Sequence, residues 1–265
     1  MNANTVRDYI SYSAISTYRS CPLKYKFRYI DGLPSETIPA SLVFGTAIHA
    51  AIEEYFMAKL SGDSPVTREK MREIYHASWA TNDQSSLQLG KSETAESLEA
   101  LASRMIDTFL ASSLTRLEGR ILGVEETLRG PLLEGVPDLL GVVDLLIESE
   151  NTLSVIDFKT SRSTWTLDQA IDSSEQLLLY CDLVGRLMPE KNLRLRFAVL
   201  TKTKVPEVQQ IDLSFSQERL DRTKKSIGVI WKAIESGNFY PNPSVMQCTG
   251  CGYRKECAAW PQPPT

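Results

Sequence analysis

Two apolar stretches carry ionisable side chains whose types and spacing could bind a metal ion. Gly-Val-Val-Asp-Leu-Leu-Ile at 141–147 contains Asp144, and Ser-Val-Ile-Asp-Phe-Lys-Thr at 154–160 contains Asp157 and Lys159. Both stretches are typical of β-strands buried on both faces, and residues two apart on a strand project from the same face. Buried carboxylates are costly unless they are paired or bind a metal. The pattern therefore predicts a metal site with an adjacent lysine, with an ion pair of Lys159 to Asp157 or Asp144 as the structural alternative.

A histidine on a predicted helix is the next candidate ligand. The helix runs over about 41–60, and its i, i+4 spacing places His49 on one face with Gly45 and Glu53. A lone histidine on a helix is more often a core or surface residue. His49 by itself therefore does not define a site.

Other polar residues near the acidic strands extend the set of candidates. Gln176 and Tyr180 lie one turn apart on the helix that follows the second acidic strand, and their shared face could orient a nucleotide or a metal-bound water. A solvent-facing pair on an amphipathic helix is the alternative. Glu125 or Glu126, on an earlier strand, is a weaker candidate for the same site.

The five cysteines are unevenly placed along the chain: Cys21, Cys181, Cys248, Cys251 and Cys257. The last three have the spacing Cys-x2-Cys-x5-Cys. In a reducing cytosol, clustered thiols bind a metal or a cluster more often than they form disulfides. Four cysteines suit zinc and iron-sulfur alike, so the thiols alone do not choose between them. Cys21 taken alone also fits a small buried residue.

Apolar periodicity and breaker residues predict the elements that must position these side chains. Helices are predicted over 14–30 with a break at Pro22, and over 41–60, 66–80, 92–117, 167–188 and 216–236. Strands are predicted over 121–128, 139–148, 152–160 and 193–201, with a hairpin between the second and the third. We expect an α/β fold with a mixed central β-sheet flanked by helices, and a helical insertion over 61–117.

Composition limits how this chain could meet a polyanion. The 265 residues carry a net charge of −4 with a pI of about 5.4, so the molecule as a whole does not attract nucleic acid. Contact would come from local basic stretches at 19–28 and 202–204, whose alternative is a solvated face, and from base stacking on Tyr18, Tyr25 and Trp165. No long apolar run and no leader pattern is present, so we expect a soluble, cytoplasmic protein without membrane contact.

The candidate residues form an ordered series: His49, Asp144, Asp157-Phe158-Lys159, Gln176-x3-Tyr180, then Cys248-x2-Cys251-x5-Cys257. This combination resembles the nuclease domain of the RecB family within the PD-(D/E)XK superfamily. The cysteines make it most similar to the iron-sulfur branch that includes Cas4, the AddB nuclease domain and the exonuclease V type. The resemblance spans most of the chain. One departure is Val143, which stands where the superfamily's name has proline.

The resemblance implies a role for each matched residue. It implies that Mg²⁺ or Mn²⁺ is bound by His49, Asp144, Asp157 and the backbone carbonyl of Phe158. It implies that catalysis involves Lys159, Asp157, Asp144, Gln176 and Tyr180. It implies a four-iron four-sulfur cluster held by Cys21, Cys248, Cys251 and Cys257, whereas Cys181 has no counterpart and is interpreted as a buried residue. The implied fold is one restriction-endonuclease-like domain over 1–265, with a cysteine-rich segment at 240–265 closed by Cys21.

The activity implied by the resemblance is a metal-dependent DNA exonuclease that hydrolyses phosphodiester bonds, with single-stranded ends as the expected substrate. It would serve recombination, repair, phage replication or defence, with a helicase, recombination or integrase partner. Two alternatives stay open at this stage. One is a non-catalytic DNA-binding or scaffolding subunit that keeps the fold and the cluster. The other is a cysteine-zinc structural domain on an unrelated metabolic enzyme.

Overall fold

The computed structural model describes residues 8–261, so the ends of the predicted ranges 1–265 and 240–265 lie outside it. The helices before the sheet are α1 (Tyr12–Ser20), α2 (Pro22–Tyr25), α3 (Ala40–Ser61), α4 (Arg68–Ala80) and α5 (Ala95–Ala111). Those after the acidic strands are α6 (Leu167–Asp172), α7 (Glu175–Gly185), α8 (Gln217–Glu235), α9 (Val245–Cys248) and α10 (Arg254–Ala258). A π-helical turn, Lys26–Ile30, and two 3₁₀ turns, Gln84–Ser86 and Ser113–Arg116, complete the helical segments.

The strands are β1 (Tyr9–Ile10), β2 (Ile38–Pro39), β3 (Leu87–Gln88), β4 (Arg120–Gly130), β5 (Asp138–Glu148), β6 (Thr152–Ser161), β7 (Asn192–Thr201) and β8 (Val208–Ser214). Among the described residues, six of them form one sheet in the order β4-β5-β6-β7-β8, with β1 beside β5. The β6–β7 and β1–β5 pairs are parallel, and the other neighbours are antiparallel. The sheet is therefore mixed, as the sequence predicts, and β5 and β6 form the predicted hairpin.

Helices cover both faces of this sheet. One core lies between the sheet and α1, α7 and α8, and it includes Val155. A second core lies between the sheet and α3, α4 and α5, and it includes Ile156 and Phe158. Successive residues of β6 thus enter opposite cores, which explains why the strand reads as continuously apolar. The predicted insertion over 61–117 shares the second core with the sheet. None of the helices in the described part of the chain has both the length and the apolarity that a membrane crossing requires.

The helix predicted over 167–188 is wrong as a single element, because it is broken between α6 and α7. Ser174 is fully buried, and its hydroxyl donates to the carbonyl of Ile171 at 2.8 Å. The guanidinium of Arg219 on α8 donates to Ser174 Oγ at 2.6 Å and also to the Ile171 carbonyl. Side-chain partners therefore replace the helical hydrogen bonds at the junction. The break lets α7 start at Glu175, immediately before Gln176.

Two more boundaries differ from the predicted ones. The helix predicted over 92–117 ends at Ala111, where the Ser112 hydroxyl donates to the Phe109 carbonyl at 2.7 Å. Strand β8 was not predicted. It is an edge strand in which Gln209 and Gln210 are half-buried and adjacent, so its apolar alternation is weak. The predicted break at Pro22 is confirmed, since α1 ends at Ser20 and α2 begins at Pro22.

Gly141 on β5 lies directly under the ring of Tyr180 on α7. A Cβ atom at this position would be 2.2 Å from Tyr180 Cε1. We predict that Gly141→Ala lowers the free energy of unfolding by about 1–3 kcal/mol, since the ring and the strand cannot both stay in place. Urea unfolding measures the change.

The matched control is Gly228→Ala on α8, where the added Cβ would lie an ordinary 3.4 Å from Leu133 Cδ1. This change should raise stability by about 0.5–1 kcal/mol, because alanine favours a helix over glycine. Equal stability of the two variants would contradict the close packing of Tyr180 on β5.

Candidate active site and a cavity lined by four cysteines

The acidic residues lie where β5 and β6 separate. Their backbone pairing runs from Glu148↔Leu153 to Leu145↔Ile156 and goes no further toward Asp144 and Asp157. Beyond that point the Phe158 N–H donates to Asp144 Oδ2 at 2.7 Å. A side-chain carboxylate therefore takes the place of a strand carbonyl. The separation opens a crevice between two strands that each contribute an acid.

Asp157 and Lys159 form a close ion pair on β6, as the alternative interpretation of the sequence anticipates. Lys159 Nζ lies 2.6 Å from Asp157 Oδ2, and Asp157 is only 3% exposed. The angles of this contact are not those of a hydrogen bond, so Asp157 Oδ2 is a buried acceptor without a directed donor. Burial lowers the pKa of Lys159, but attraction to Asp157 and Asp144 outweighs it and the pKa is raised. Lys159 is thus a fixed ammonium group at neutral pH.

His49 on α3 faces the crevice. Its Nδ1 atom lies 3.8 Å from Asp144 Oδ2. Burial lowers the pKa of the imidazole, which favours the neutral form that can bind a metal. The close approach of α3 depends on Gly45, one turn earlier, where a Cβ atom would be 3.2 Å from Thr160 Oγ1.

Asp144 is in a site that disfavours its negative charge. Burial, followed by repulsion from Asp157, raises its pKa well above the usual range, despite the hydrogen bond from the Phe158 amide and the charge of Lys159. A bound cation would remove this penalty. The charge distribution therefore fits a divalent ion.

Glu125 on β4 completes the group, and the sequence placed it there only weakly. Ligand atoms of His49, Glu125 and Asp144 all lie within 4.8 Å of one another. In the β4–β5 register, Val124 pairs with Leu145 and Glu126 with Val143, so Glu125 lies opposite Asp144. Burial, then the charges of Glu53 and Asp157, raises the pKa of Glu125.

The backbone of Glu125 is left-handed, with φ 49°, and it is the one non-glycine residue of the described chain with positive φ. Such a conformation costs about 1–3 kcal/mol and occurs often at functional sites. Glu126, the other sequence candidate, is exposed. No sequence pattern reveals the backbone conformation that selects between these two neighbours.

Gln176 and Tyr180 are brought to the site on α7. Gln176 Nε2 donates to Tyr180 Oη at 3.0 Å, and Tyr180 is 6% exposed. Burial raises the pKa of Tyr180, and the charges of Asp157 and Asp144 raise it further. The solvent-facing alternative for this pair is therefore excluded. The tyrosine stays protonated and can donate a hydrogen bond.

Four of the five cysteines line one cavity, which lies at the C-terminal end of α1. Cys21 lies between α1 and α2, and it meets Cys248, Cys251 and Cys257 around a cavity of about 60 Å³. Burial, then the neighbouring thiols of Cys21, Cys251 and Cys248, raises the pKa of Cys257. Cys181 is fully buried in the first core, away from this cavity. Cys21 is 227 residues before Cys248, so the cavity joins two parts of the chain that are distant in sequence.

The prediction that bases stack on Tyr18 and Tyr25 is wrong. Tyr18 and Tyr25 are each 6% exposed, and they pack against each other and Phe239 in the first core. Trp165 is half-buried, with its ring 5.1 Å from that of Phe197. Both tyrosines pack against Phe239, which is far away in sequence, and local periodicity does not reveal such a contact.

The basic stretch over 19–28 is also less available than predicted. Arg19 forms an ion pair with Glu175 and donates to Ser226 Oγ at 3.0 Å. Lys26 is paired with Asp31 at 2.6 Å. Intramolecular partners therefore occupy two of its cations.

Comparison with known proteins gives the class that this site defines. The family model described as the PD-(D/E)XK nuclease superfamily matches residues 9–258. The chain therefore belongs to this superfamily, whose members are nucleases that use divalent metal ions. Membership excludes the zinc domain on an unrelated metabolic enzyme. A comparison with curated proteins gives no match.

Solved structures show the same fold. The crystal structure named "Putative exonuclease" from Eubacterium rectale is similar to this chain with a TM-score of 0.60 and 14% identity, over 100% of this chain and 94% of that one. A second structure, SSO0001, matches 94% of this chain and 98% of its own with 14% identity, but its TM-score of 0.40 is too low to support an argument.

The left-handed backbone at Glu125 can be tested by comparing the stability of two variants at this position. Glu125→Gly and Glu125→Ala both remove the carboxylate, but only glycine adopts positive φ without strain. We predict that the glycine variant is more stable than the alanine variant by about 1 kcal/mol, which reverses their usual order in a strand. Urea unfolding without added metal measures the difference. A more stable alanine variant would contradict the strained conformation.

Proposed function

We propose that this chain is a DNA exonuclease that depends on Mg²⁺ or Mn²⁺ and hydrolyses phosphodiester bonds from single-stranded ends. The observation that carries this proposal is the convergence of His49, Glu125 and Asp144 within 4.8 Å, beside Asp157 and Lys159. Membership in a nuclease superfamily supports the reaction. The name of the Eubacterium rectale neighbour supports action at ends rather than within a strand.

The residues that would hold the ion are His49, Asp144, Asp157 and the backbone carbonyl of Phe158, with Glu125 as a further ligand directly or through a water. Oxygen ligands suit Mg²⁺ and Mn²⁺, and the imidazole favours Mn²⁺ more than carboxylates alone would. Asp157 Oδ2 is buried and is paired only with the Lys159 ammonium at 2.6 Å, which a bound ion would share or displace. When bound, a divalent ion lowers the pKa of a water molecule and neutralises charge on the phosphate.

Lys159 contributes a permanent positive charge next to the attacked phosphate. Attraction to Asp157 and Asp144 raises its pKa, so in this site the group is an ammonium rather than a neutral amine. The ammonium group donates hydrogen bonds to a phosphoryl oxygen as negative charge grows there. Tyr180, with a raised pKa, likewise acts as a donor, and Gln176 holds the tyrosine hydroxyl in place at 3.0 Å.

The four cysteines of the cavity would hold a four-iron four-sulfur cluster. Four cysteine ligands suit zinc and an iron-sulfur cluster alike, and the resemblance of the cysteine spacing to the iron-sulfur branch favours the cluster. Because Cys257 has a raised pKa, binding must also displace its thiol proton.

This assignment makes the chain one nuclease domain over 1–265, in which 61–117 is a helical insertion and 240–265 a cysteine-rich segment closed by Cys21. The cluster would fix α2 against the C-terminal segment. An end-directed DNA nuclease of this design would serve recombination, repair, phage replication or defence, working with a helicase, recombination or integrase partner, in the cytoplasm.

We predict that Lys159→Ala lowers the rate of DNA cleavage in Mn²⁺ by at least about 10²–10³-fold, because it removes a donor to the developing charge. End-labelled single- and double-stranded DNA under anaerobic conditions gives the rate.

The matched control is Lys191→Ala. It removes another half-buried lysine, whose Nζ lies 3.0 Å from Glu148 Oε1 at the other end of β5. Its cleavage rate should stay within a few-fold of that of the wild type. Normal turnover by Lys159→Ala would remove the proposed chemistry, and no cleavage by the wild type with either metal would favour a scaffolding subunit.

We also predict that Cys251→Ser removes the broad visible absorbance of anaerobically purified protein, while Cys181→Ser keeps it. Only Cys251 lines the shared cavity, whereas Cys181 lies in the first core. Absorbance and iron content of the two variants check this. A colourless wild-type protein containing zinc would overturn the cluster assignment.

A further inference from the structure

Two basic residues follow immediately after the central parallel strands. Arg162 comes after the last residue of β6, and Lys202 comes after the last residue of β7. The two strands are paired to their ends, Ser161↔Thr201, and the Lys202 N–H donates to the Ser161 carbonyl at 2.6 Å. The two cations therefore leave the sheet side by side at one edge.

This pair of cations is not neutralised by the protein. Within residues 8–261, neither Arg162 nor Lys202 forms an ion pair with a carboxylate. The side chain of Lys202 has the ring of Phe44 as a neighbour. Burial, then repulsion by Arg162, lowers the pKa of Lys202, and Glu93 only partly opposes this. The Glu93 carboxylate is itself bound by the Gly90 N–H at 2.8 Å.

Other partly buried cations of the chain behave differently. Lys191, Arg196 and Lys224, with side chains 14–17% exposed, each lie within 3.0 Å of a carboxylate oxygen. Pairing with an acid thus offsets the loss of water at these three side chains. Arg162 and Lys202 are adjacent, and Lys202 is half-buried, but neither forms an ion pair with a carboxylate; Glu93 opposes their repulsion only in part. This arrangement indicates a position that an external anion completes.

The pair adjoins the candidate active site. Lys202 Nζ lies 5.9 Å from the centroid of the Phe44 ring on α3. Phe44 precedes Gly45, which contacts Thr160, the residue after Lys159. At about 3.3 Å per residue, Arg162 is about 10 Å beyond Lys159 along the strand direction. That distance is too long for the phosphate under attack but suits a neighbouring phosphate of the same strand.

We propose that Arg162 and Lys202 form a phosphate subsite, which binds a phosphodiester group of the substrate strand next to the one that is cleaved. This inference rests on the proposed nuclease function. It adds the path of the DNA strand, which would run along the C-terminal ends of β6 and β7. A guanidinium group can bind two phosphate oxygens at once, and the ammonium group adds a point charge. In a chain of net charge −4, such a local pair supplies attraction that the whole molecule lacks.

Salt-dependent binding tests the subsite without depending on cleavage. Fluorescence anisotropy with a labelled single-stranded oligonucleotide is measured in EDTA over a range of salt concentrations. Arg162→Ala and Lys202→Ala should each weaken binding several-fold at low salt and reduce the slope of log K against log salt by about 0.7, the value for one phosphate contact on a single strand. Lys202→Arg should keep most of the affinity. The control Lys225→Ala removes an exposed lysine from α8, on the other face of the sheet, and should leave the slope unchanged.

A neutral methylphosphonate linkage, moved along the oligonucleotide, locates the contact. At one position it should weaken binding to the wild type, but it should not weaken binding to Lys202→Ala any further. The thermal stability of Lys202→Ala should stay the same or rise, because the change relieves repulsion, so weaker binding would not reflect unfolding.

Both Ala variants could instead show the wild-type slope of log K against log salt, or the methylphosphonate could weaken binding to Lys202→Ala as much as binding to the wild type at every position. Either result would overturn the subsite and leave the nuclease proposal intact. Competition by inorganic phosphate alone, with unchanged DNA slopes, would likewise overturn it in favour of a free-phosphate site. Failure of the wild type to bind DNA at all would overturn both proposals.

Discussion

The structure of the site depends on the repulsion between two carboxylates at the point where two buried strands separate. Burial, followed by repulsion from Asp157, raises the pKa of Asp144. Only partial compensation comes from the protein itself, through the Phe158 amide at 2.7 Å and the Lys159 ammonium at 2.6 Å. A third acid, Glu125, is added to the same crevice at the cost of a left-handed backbone. Such a concentration of acid is favourable only when a cation shares the crevice.

The remaining parts of the fold can be understood as supports for this crevice. Gly45 lets α3 approach β6 so that His49 reaches Asp144, and Gly141 lets the ring of Tyr180 pack closely against β5. The break at Ser174 starts α7 one residue before Gln176. Each of these features makes a helix or strand locally less regular and places one functional side chain, as is common at functional sites.

The two ends of the described chain are also connected to the site. The cavity of four cysteines begins at Cys21, directly after α1. From the same helix, Arg19 pairs with Glu175, and the Tyr12 hydroxyl donates to that carboxylate at 3.2 Å. Glu175 is the neighbour of Gln176 on α7. A continuous set of contacts thus runs from the cysteines to the helix that carries Gln176 and Tyr180.

Sequence reasoning predicted those features that arise from strong local patterns. The continuous apolar runs with Asp144, Asp157 and Lys159 identified β5, β6 and the centre of the site, and helical spacing identified His49. It failed where tertiary contacts decide the outcome. Ser174 breaks a helix because Arg219 reaches it, Tyr18 and Tyr25 turn inward onto Phe239, and β8 pairs with β7 despite a polar sequence. Glu125 and Glu126 could be separated only by backbone geometry.

The central claim is that these acids and the imidazole hold one divalent ion. Anomalous diffraction from crystals soaked in Mn²⁺ tests it most directly. The account predicts a peak between β5 and β6, at about 2.1 Å from ligand atoms of His49, Asp144 and Asp157. No peak in the crevice at millimolar Mn²⁺, with the three side chains accessible to the soak, would contradict it.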